Sequence, residues 1–507
     1  MWANRLATSS FHPAKRATSS IPISSNGCTP ALYLRINRGR FPSKATSALQ
    51  CRTNSTSATS ATATINGTTY KTDSWFNVPQ NIIDKVPRRL HLQKDHPVSI
   101  TRQIIESVFP TPTYKYHNEF NPVVTTHQNF DSLGFPKDHP GRAKSDTYYI
   151  NSDTLLRTHT SAHQADVFRQ NLSDGYLISA DVYRRDEVDR SHYPIFHQME
   201  GAHSWDRAKL ANGGDGDGDG DVAAVIRSDL EKLPKHAMRV EDPNPPFHDA
   251  RNPRQAAHHS PAEAEAVAAH LKRSLELMVV DIFTRAQAAA LKADPAFVDE
   301  PLRVRWVEAY FPFTSPSWEL EVYYAGDWLE VLGCGVVQHD IYAHAGVPSQ
   351  LGWAFGLGLE RIAMLLFRIP DIRLFWSRDA RFLDQFAGVS DDLATLKRFA
   401  PFSKYPSCAK DVSFWLKPSS AAGGGTRADV HDFHENDVME IVRGVAGDVV
   451  EDVRLVDEFT HPKTGRRSMC YRINYRSLER TLTNSETNEL HDEVKRVLVD
   501  KLGVEIR

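Results

Sequence analysis

From His96 onward, apolar residues recur at helical spacing. Ile100, Ile104, Ile105 and Val108 fall on one face of a segment that Pro97 can start and Pro110 must end, which predicts an amphipathic helix laid against a core. Between Tyr148 and about Gln198 the period shortens, and runs such as Tyr176-Leu-Ile-Ser-Ala-Asp-Val-Tyr183 predict strands. Two more apolar runs between Trp318 and Val337, broken at Ala325-Gly326-Asp327, predict a strand pair. Val267, Leu271, Leu275, Met278 and Ile282 stand three or four apart and predict a long helix whose stripe belongs to a core. Together these elements describe an antiparallel sheet flanked by helices.

The pattern changes after about Leu396. Asp411 to Leu416 predicts a strand, Glu435 to Val445 a helix, Val449 to Phe459 and Ser468 to Tyr475 strands, and Asn484 to Leu502 a helix before a short final strand. That is a split βαβ order, with Gly423-Gly-Gly425 in the loop between its first strand and helix. The α+β chain therefore divides into a leader at 1–70, a central domain at 71–395 and a C-terminal domain at 396–507.

Composition sharpens this division. With 507 residues, 41% hydrophobic and 24% charged, the chain can bury more than one core. The longest apolar runs, Leu275 to Phe283 and Gly356 to Phe367, carry charges, so no membrane partner is expected. The net charge of −3 conceals an asymmetry, because residues 1–72 hold nine Lys and Arg and no acid, which leaves −12 on the rest. An acid-free opening rich in Ser, Thr, Ala and Arg, without an apolar h-region, has the composition of an organelle transit peptide. Cys28, Cys51, Cys334, Cys408 and Cys470 are scattered and form no CxxC pair, so neither zinc nor a disulfide scaffold is expected. The run Asn212-Gly-Gly-Asp-Gly-Asp-Gly-Asp-Gly-Asp221 fails as a calcium loop. If Asp215, Asp217 and Asp219 take the first ligand positions, Ile226 stands where a bidentate Glu is needed, so 212–221 is expected to be a solvated insertion.

Three segments carry candidate chemistry. Arg184 and Asp186 follow a strand and emerge on one side of it, where an Arg can clamp a phosphate. His192 comes next, and then Phe196-His-Gln-Met-Glu200, a strand that places Gln198 and Glu200 on one side. A buried carboxylate there calls for a cation such as an α-ammonium. Finally, Trp353-Ala-Phe-Gly-Leu-Gly-Leu-Glu-Arg361 runs from strand into helix, with Gly356 and Gly358 allowing close approach and Arg361 near a helix start that favours phosphate. Its glycine spacing fits neither a Rossmann loop nor a Walker A site.

A Pro-associated helix, an Arg on an antiparallel strand and a Gly-Leu-Glu-Arg helix start resemble the three motifs of class II aminoacyl-tRNA synthetases. Asn129-Phe-Asp-Ser-Leu133, Asp138-His-Pro-Gly-Arg142, Asp146-Thr-Tyr-Tyr149, Arg157-Thr-His-Thr-Ser161 and Phe196-His-Gln-Met-Glu200 look like the phenylalanine-specific branch. The uninterrupted join to a split βαβ domain is similar to the branch's single-chain mitochondrial form.

The resemblance implies substrates and roles. ATP with Mg²⁺, phenylalanine and tRNA(Phe) would be the partners, in the mitochondrial matrix, with the enzyme a monomer. Arg184 would hold the α-phosphate and stabilise the charge developing on it, while His192 and Arg361 would bind the other phosphates. Ser161, Ala162, His163, Gln164, Gln198, Met199 and Glu200 would surround phenylalanine, with Ser191 and Tyr193 beside His192. Phe355 would lie by the nucleotide, and Glu330 would contact Mg²⁺ or ATP. Phe311 and Phe313 would press on the substrate ring in edge-to-face contacts worth about 0.5 to 1.5 kcal/mol each. Where the class pattern often has Glu two residues after the motif Arg, this chain has Asp186.

The C-terminal domain would be a ferredoxin-like anticodon-binding module. Lys463, Arg466, Arg467, Arg472, Arg476 and Arg480 have only Glu479 as a sequence-local acid, which predicts a basic strip for tRNA with Tyr471 and Tyr475 available for stacking. Adenylate formation is expected to survive removal of 396–507. An apolar pocket should discriminate weakly against tyrosine. A class II synthetase for another amino acid and a non-catalytic RNA-binding derivative are the competing readings, both disfavoured by the intact Arg184, Glu200 and Arg361.

Overall fold

The computed structural model describes residues 61–212, 221–297, 301–324, 327–402, 405–417 and 433–507. The basic leader up to residue 60, the Gly-Asp run at 213–220 and Gly423-Gly-Gly425 lie outside the described residues.

The helix expected after His96 is α1, Pro97–Val108. Pro97 opens it, and the His96 ring accepts the Val98 N–H at 3.2 Å. Ile100, Ile104 and Ile105 are fully buried beneath it. The 33-residue helix α2, Pro261–Ala293, starts at a capping box between Ser260 and Glu263 and buries Val267, Leu271, Leu275, Met278 and Ile282 as the periodicity requires.

Both helices cover one face of an eight-stranded sheet. Its strands are β1 (Tyr114–His117), β2 (Gly175–Tyr183), β3 (Ile195–Asp206), β4 (Arg239–Glu241), β5 (Arg303–Phe311), β6 (Thr314–Tyr324), β7 (Asp327–Val337) and β8 (Gln350–Gly358). They lie in the order β1-β2-β3-β8-β7-β6-β5-β4. Only the outer pairs β1/β2 and β4/β5 are parallel, and every inner pairing is antiparallel. The late strand β8 is inserted beside β3, so the Gly-rich segment and the Phe196–Glu200 segment become neighbours although far apart in the chain. Helix α3, Leu359–Phe367, continues directly from β8.

The C-terminal domain has β9 (Cys408–Trp415), α4 (Glu435–Ala446), β10 (Val450–Thr460), β11 (Arg467–Tyr475), α5 (Asn484–Leu502) and β12 (Glu505–Ile506). Its sheet runs β10-β11-β9-β12, antiparallel throughout, as the split βαβ pattern predicts. It owns a separate core that includes Val412, Phe414, Val438, Val442, Tyr471, Ile473 and Val494.

Two boundaries differ from expectation. A hairpin of Thr62–Ile65 on Thr68–Lys71 places Ile65, 1% exposed, in the main core, so folded structure begins ahead of residue 71. Leu396 and Phe399 also belong to that core, and the Phe399 N–H donates to Phe367 O at 2.7 Å, so the first domain extends past 395. In both places a few apolar residues inside polar sequence decide membership.

The predicted basic strip is also corrected. Arg466 pairs with Glu505, Arg467 with Glu458, Arg472 with Asp411, Arg476 with Glu451 and Arg480 with Glu486. Cross-strand and helix neighbours supply acids that are remote in sequence. Tyr471 and Tyr475 are fully buried in the domain core, so they present no surface for a base. Lys463 is exposed and enters no ion pair among the described residues.

Candidate active site

Register alignment across β2, β3, β8, β7, β6 and β5 sets Ile178, Glu200, Gly356, Gly333, Glu319 and Val307 side by side in one row. Residues in such a row project from the same face of the sheet, and this face is the one opposite α1 and α2. Gly356 and Gly333 leave a bay without side chains between the two carboxylates. A Cβ on Gly356 would meet nothing within 4 Å, whereas one on Gly333 would stand 2.7 Å from Phe311 Cζ. Phe311 therefore lies over the bay, with Phe313 stacked behind it at a centroid distance of 5.9 Å. Phe135 lies beyond, 6.2 Å from Phe313.

Glu200 is 3% exposed. Tyr176 OH donates to it at 3.0 Å and Thr160 Oγ1 at 3.4 Å, and no cation pairs with it among the described residues. Burial pushes its carboxyl up to about 7, against the opposing hydrogen bonds from Ser161, Tyr176 and Thr160. Gln198, two residues along, accepts the Thr160 N–H at 3.4 Å. Gln164, 2% exposed, keeps an Oε1 with no hydrogen-bond partner. An acceptor-rich, apolar-walled bay of this kind suits an ammonium group carried on an aromatic body.

The other end of the same face gathers cations. Arg184 Nε donates to Thr158 O at 2.8 Å, and its guanidinium sits 5.1 Å from the centroid of Phe196, which shares the face of Gln198 and Glu200. Burial lowers the proton affinity of Arg184, and among the described residues it has no salt-bridge partner. An arginine so placed is positioned for an external anion. His192 Nδ1 donates to Asp189 Oδ2 at 2.8 Å, and that bond, opposed by burial, raises its pKa and favours the imidazolium. Asp189 also accepts the Ser191 and His192 N–H groups, which closes the turn.

Arg361 stands in the first turn of α3, where Nη1 donates to Glu330 O at 3.2 Å and approaches its carboxylate at 3.9 Å. Helix α3 is tied to β3 by Glu360, which accepts the N–H and ring of His197. Glu330 is exposed on β7. Its neighbour Glu319, half-buried in the site row, has its pKa raised by burial and by the charges of Glu330 and Glu321. Glu330 is shared with Arg361 and Glu321 is paired with Arg305, whereas Glu319 has no ion-pair partner among the described residues; Glu319 and Glu330 can offer oxygen ligands to a divalent ion.

Several expected site residues lie elsewhere. Phe355 pairs with Gly201 rather than Glu200, so it projects into the core and stacks on Phe109 at 5.6 Å. Met199, fully buried, points to the same core face. Tyr193 stacks on Trp376 at 5.3 Å and donates to Asp448 of the C-terminal domain at 2.7 Å. Ala162 joins a small core with Val124 and Phe130, and His163 stacks on Phe120 at 4.3 Å while its Nε2 meets Arg157 at 2.9 Å. Ser191 bonds Asp189 instead of facing the bay. Three residues went unnoticed in sequence: Phe196, Tyr176 and Glu319. Strand alternation alone could have placed Phe196 with Gln198 and Glu200; the other two needed the register.

Comparison with known proteins follows the same division. Residues 81–213 and 273–386 match the model of the tRNA synthetases class II core domain (F), and 403–507 match the ferredoxin-fold anticodon binding domain. The chain is 51% identical to the mitochondrial phenylalanine–tRNA ligase of Saccharomyces cerevisiae, covering 87% of this chain and 94% of the yeast one. It is 42% identical to the probable mitochondrial enzyme of Drosophila melanogaster, over 87% of this chain and 92% of that one. Against the phenylalanine–tRNA ligase alpha subunit of Coxiella burnetii identity is 30%, over 58% of this chain and 69% of the subunit. Among the described residues, no helix is long and apolar enough to cross a membrane.

Proposed function

Since the chain belongs to the phenylalanine–tRNA ligase family, with a class II synthetase core and a ferredoxin-fold anticodon-binding domain, we propose how its site performs that family's reaction. The protein is an ATP-dependent ligase that joins phenylalanine to tRNA(Phe) in the mitochondrion, and the matrix is the compartment we assign. A buried carboxylate and a half-buried guanidinium on one sheet face, neither with an ion-pair partner among the described residues, carry the site reading. Among the described residues no cation pairs with Glu200 and no carboxylate pairs with Arg184, as a site for an amino acid activated on a phosphate requires.

Phenylalanine enters with its ammonium on Glu200 and its ring over the Gly333–Gly356 bay against Phe311 and Phe313. Gln198, Ser161 and Gln164 orient the polar end. ATP lies with its α-phosphate on Arg184, its base on the exposed side of Phe196 and its outer phosphates toward His192 and Arg361. The substrate carboxylate attacks the α-phosphorus, pyrophosphate leaves, and Arg184 stabilises the negative charge that builds on the phosphoryl oxygens. Proximity supplies most of the remaining acceleration, because both reactants are held on one rigid sheet. Glu330 and Glu319 would hold Mg²⁺, which when bound neutralises phosphate charge. A hydroxyl of the terminal adenosine ribose of tRNA(Phe) then attacks the carbonyl carbon of the adenylate, forming the ester as the acyl–phosphate bond breaks and AMP leaves.

For tRNA, Lys463 is the cation of the expected strip that enters no ion pair among the described residues. Arg466, Arg467 and Arg472 form surface pairs that solvent screens, so a phosphate can replace the acid. Arg476 lies against the first domain, its carbonyl accepting from Arg373, and is removed from this set. Trp415 and the 43% exposed Phe459, 6.2 Å apart beside Arg466, offer the stacking surface that the buried tyrosines cannot. A monomer is consistent with both modules standing on one chain.

Exchange of labelled pyrophosphate into ATP, run with each amino acid in turn, tests the reading. Phenylalanine should support the fastest exchange, with charging of tRNA(Phe) to follow. Absence of phenylalanine-dependent exchange, or faster exchange with an unrelated amino acid, rejects it.

A further inference from the structure

The turn that carries His192 leaves β2 at Tyr183 and rejoins β3 at Ile195, and four consecutive carbonyls in it are held by the C-terminal domain. Arg185 O accepts from Asn436 Nδ2 at 3.0 Å. Asp186 O and Glu187 O both accept from Arg443 Nη2, at 2.8 and 3.1 Å. Val188 O accepts the Val453 N–H at 2.9 Å, and the Val188 side chain, 7% exposed, is part of the C-terminal domain's own core. On either side, Arg185 pairs with Asp437 at 3.2 Å and Arg190 with Glu451 at 2.7 Å.

A segment of this kind has little structure of its own. Within it, the Arg184 N–H donates to Pro194 O and Asp189 closes a short turn, but no ladder spans the middle. The first domain holds its ends, where the Arg185 N–H donates to Asp146 O at 2.9 Å and the Ile372 N–H to Arg190 O at 2.8 Å, but the donors to its middle come from another domain, and Arg443, itself 7% exposed and braced by Glu440 at 3.0 Å, supplies two of them from one nitrogen.

We infer that Arg443, with Asn436 and Val453, positions the ATP-phosphate turn, so that amino-acid activation itself depends on the docked C-terminal domain. This inference rests on the functional reading above and revises the expectation that adenylate formation is independent of residues 396–507. Arg443 touches no substrate; it acts through the turn. The phenylalanine bay is built from β3, β7 and β8, which the C-terminal domain does not organise, so the effect falls on ATP alone.

The test uses the full chain, without tRNA, and follows phenylalanine-dependent ATP–pyrophosphate exchange. Arg443→Ala should raise KM for ATP and lower kcat, together by roughly tenfold or more, as expected for loss of two charge-assisted hydrogen bonds, while KM for phenylalanine stays unchanged. Arg443→Lys should recover part of the loss because an ammonium can still reach a carbonyl. Asn436→Ala, at a half-buried position, should fold normally and show a smaller shift of the same kind. Unchanged ATP kinetics in folded Arg443→Ala or Asn436→Ala, or equal rises in both KM values, would overturn the inference. Lack of exchange in the unsubstituted protein would instead reject the activity on which it rests.

Discussion

Glu360 accepts the backbone N–H of His197 at 2.7 Å and the ring Nδ1–H of the same residue at 2.6 Å, with both side chains buried. This clamp joins the first turn of α3 to the strand that bears Gln198 and Glu200, and so fixes the neighbouring Arg361 relative to the substrate bay. Glu360→Ala would leave a core N–H unsatisfied, costing about 1–3 kcal/mol of stability. KM for ATP should rise and KM for phenylalanine should stay near normal. Denaturant titration with exchange kinetics on the same preparation measures both, and an unaltered KM for ATP would separate the clamp from Arg361.

A second prediction concerns pH. Burial holds the Glu200 carboxyl near 7 in the free protein, so it is neutral below that value and ionised above it. Because the ammonium needs the carboxylate, KM for phenylalanine should climb as pH falls through about 7, and KM for ATP should not follow. The sign for stability is opposite. A folded pKa raised above the ordinary 4.5 stabilises below that value, and the gain is lost as pH rises through about 7. Glu200→Gln should weaken phenylalanine binding by roughly 10- to 100-fold and abolish this pH dependence. Calorimetric titration of phenylalanine at several pH values checks both statements.

Gly333 is a position where space rather than backbone conformation demands glycine. In Gly333→Ala the new methyl would stand 2.7 Å from Phe311 Cζ and drive that ring into the bay. KM for phenylalanine should rise about tenfold, in line with an overpacking cost of about 1–3 kcal/mol, and ATP kinetics should be preserved. Equal KM values in variant and parent would show that the ring of Phe311 does not face the substrate.

Tyrosine should be activated at a detectable rate. The bay is walled by aromatic rings and glycines, and an apolar pocket rejects an added hydroxyl weakly. Exchange with tyrosine freed of phenylalanine measures this, and a rate at background would contradict the pocket as described.

Much of this architecture was legible along the chain. Helix α1 with its prolines, the long α2, strands β2 and β3 and the whole C-terminal order follow from local periodicity and capping, because in each the buried face repeats within a few residues. Motif spacing also singles out Arg184, His192, Gln198, Glu200 and Arg361, the residues on which the proposed site is built. What local sequence did not show is which way a side chain faces once β8 is inserted beside β3. A one-residue difference in register puts Gly356 in the site and Phe355 in the core. The same limit explains the basic strip, whose acids at Asp411, Glu451 and Glu505 arrive from other strands, and Tyr193, whose partner Asp448 comes from the second domain.

In the proposed site one sheet face receives amine and phosphate together. A crystal structure with a non-hydrolysable phenylalanyl-adenylate mimic tests it most directly. The ammonium should lie on Glu200, the phosphate on Arg184 and the base against Phe196 with Arg361 alongside. A mimic bound with its phosphate away from Arg184, or its amine away from Glu200, would contradict the account.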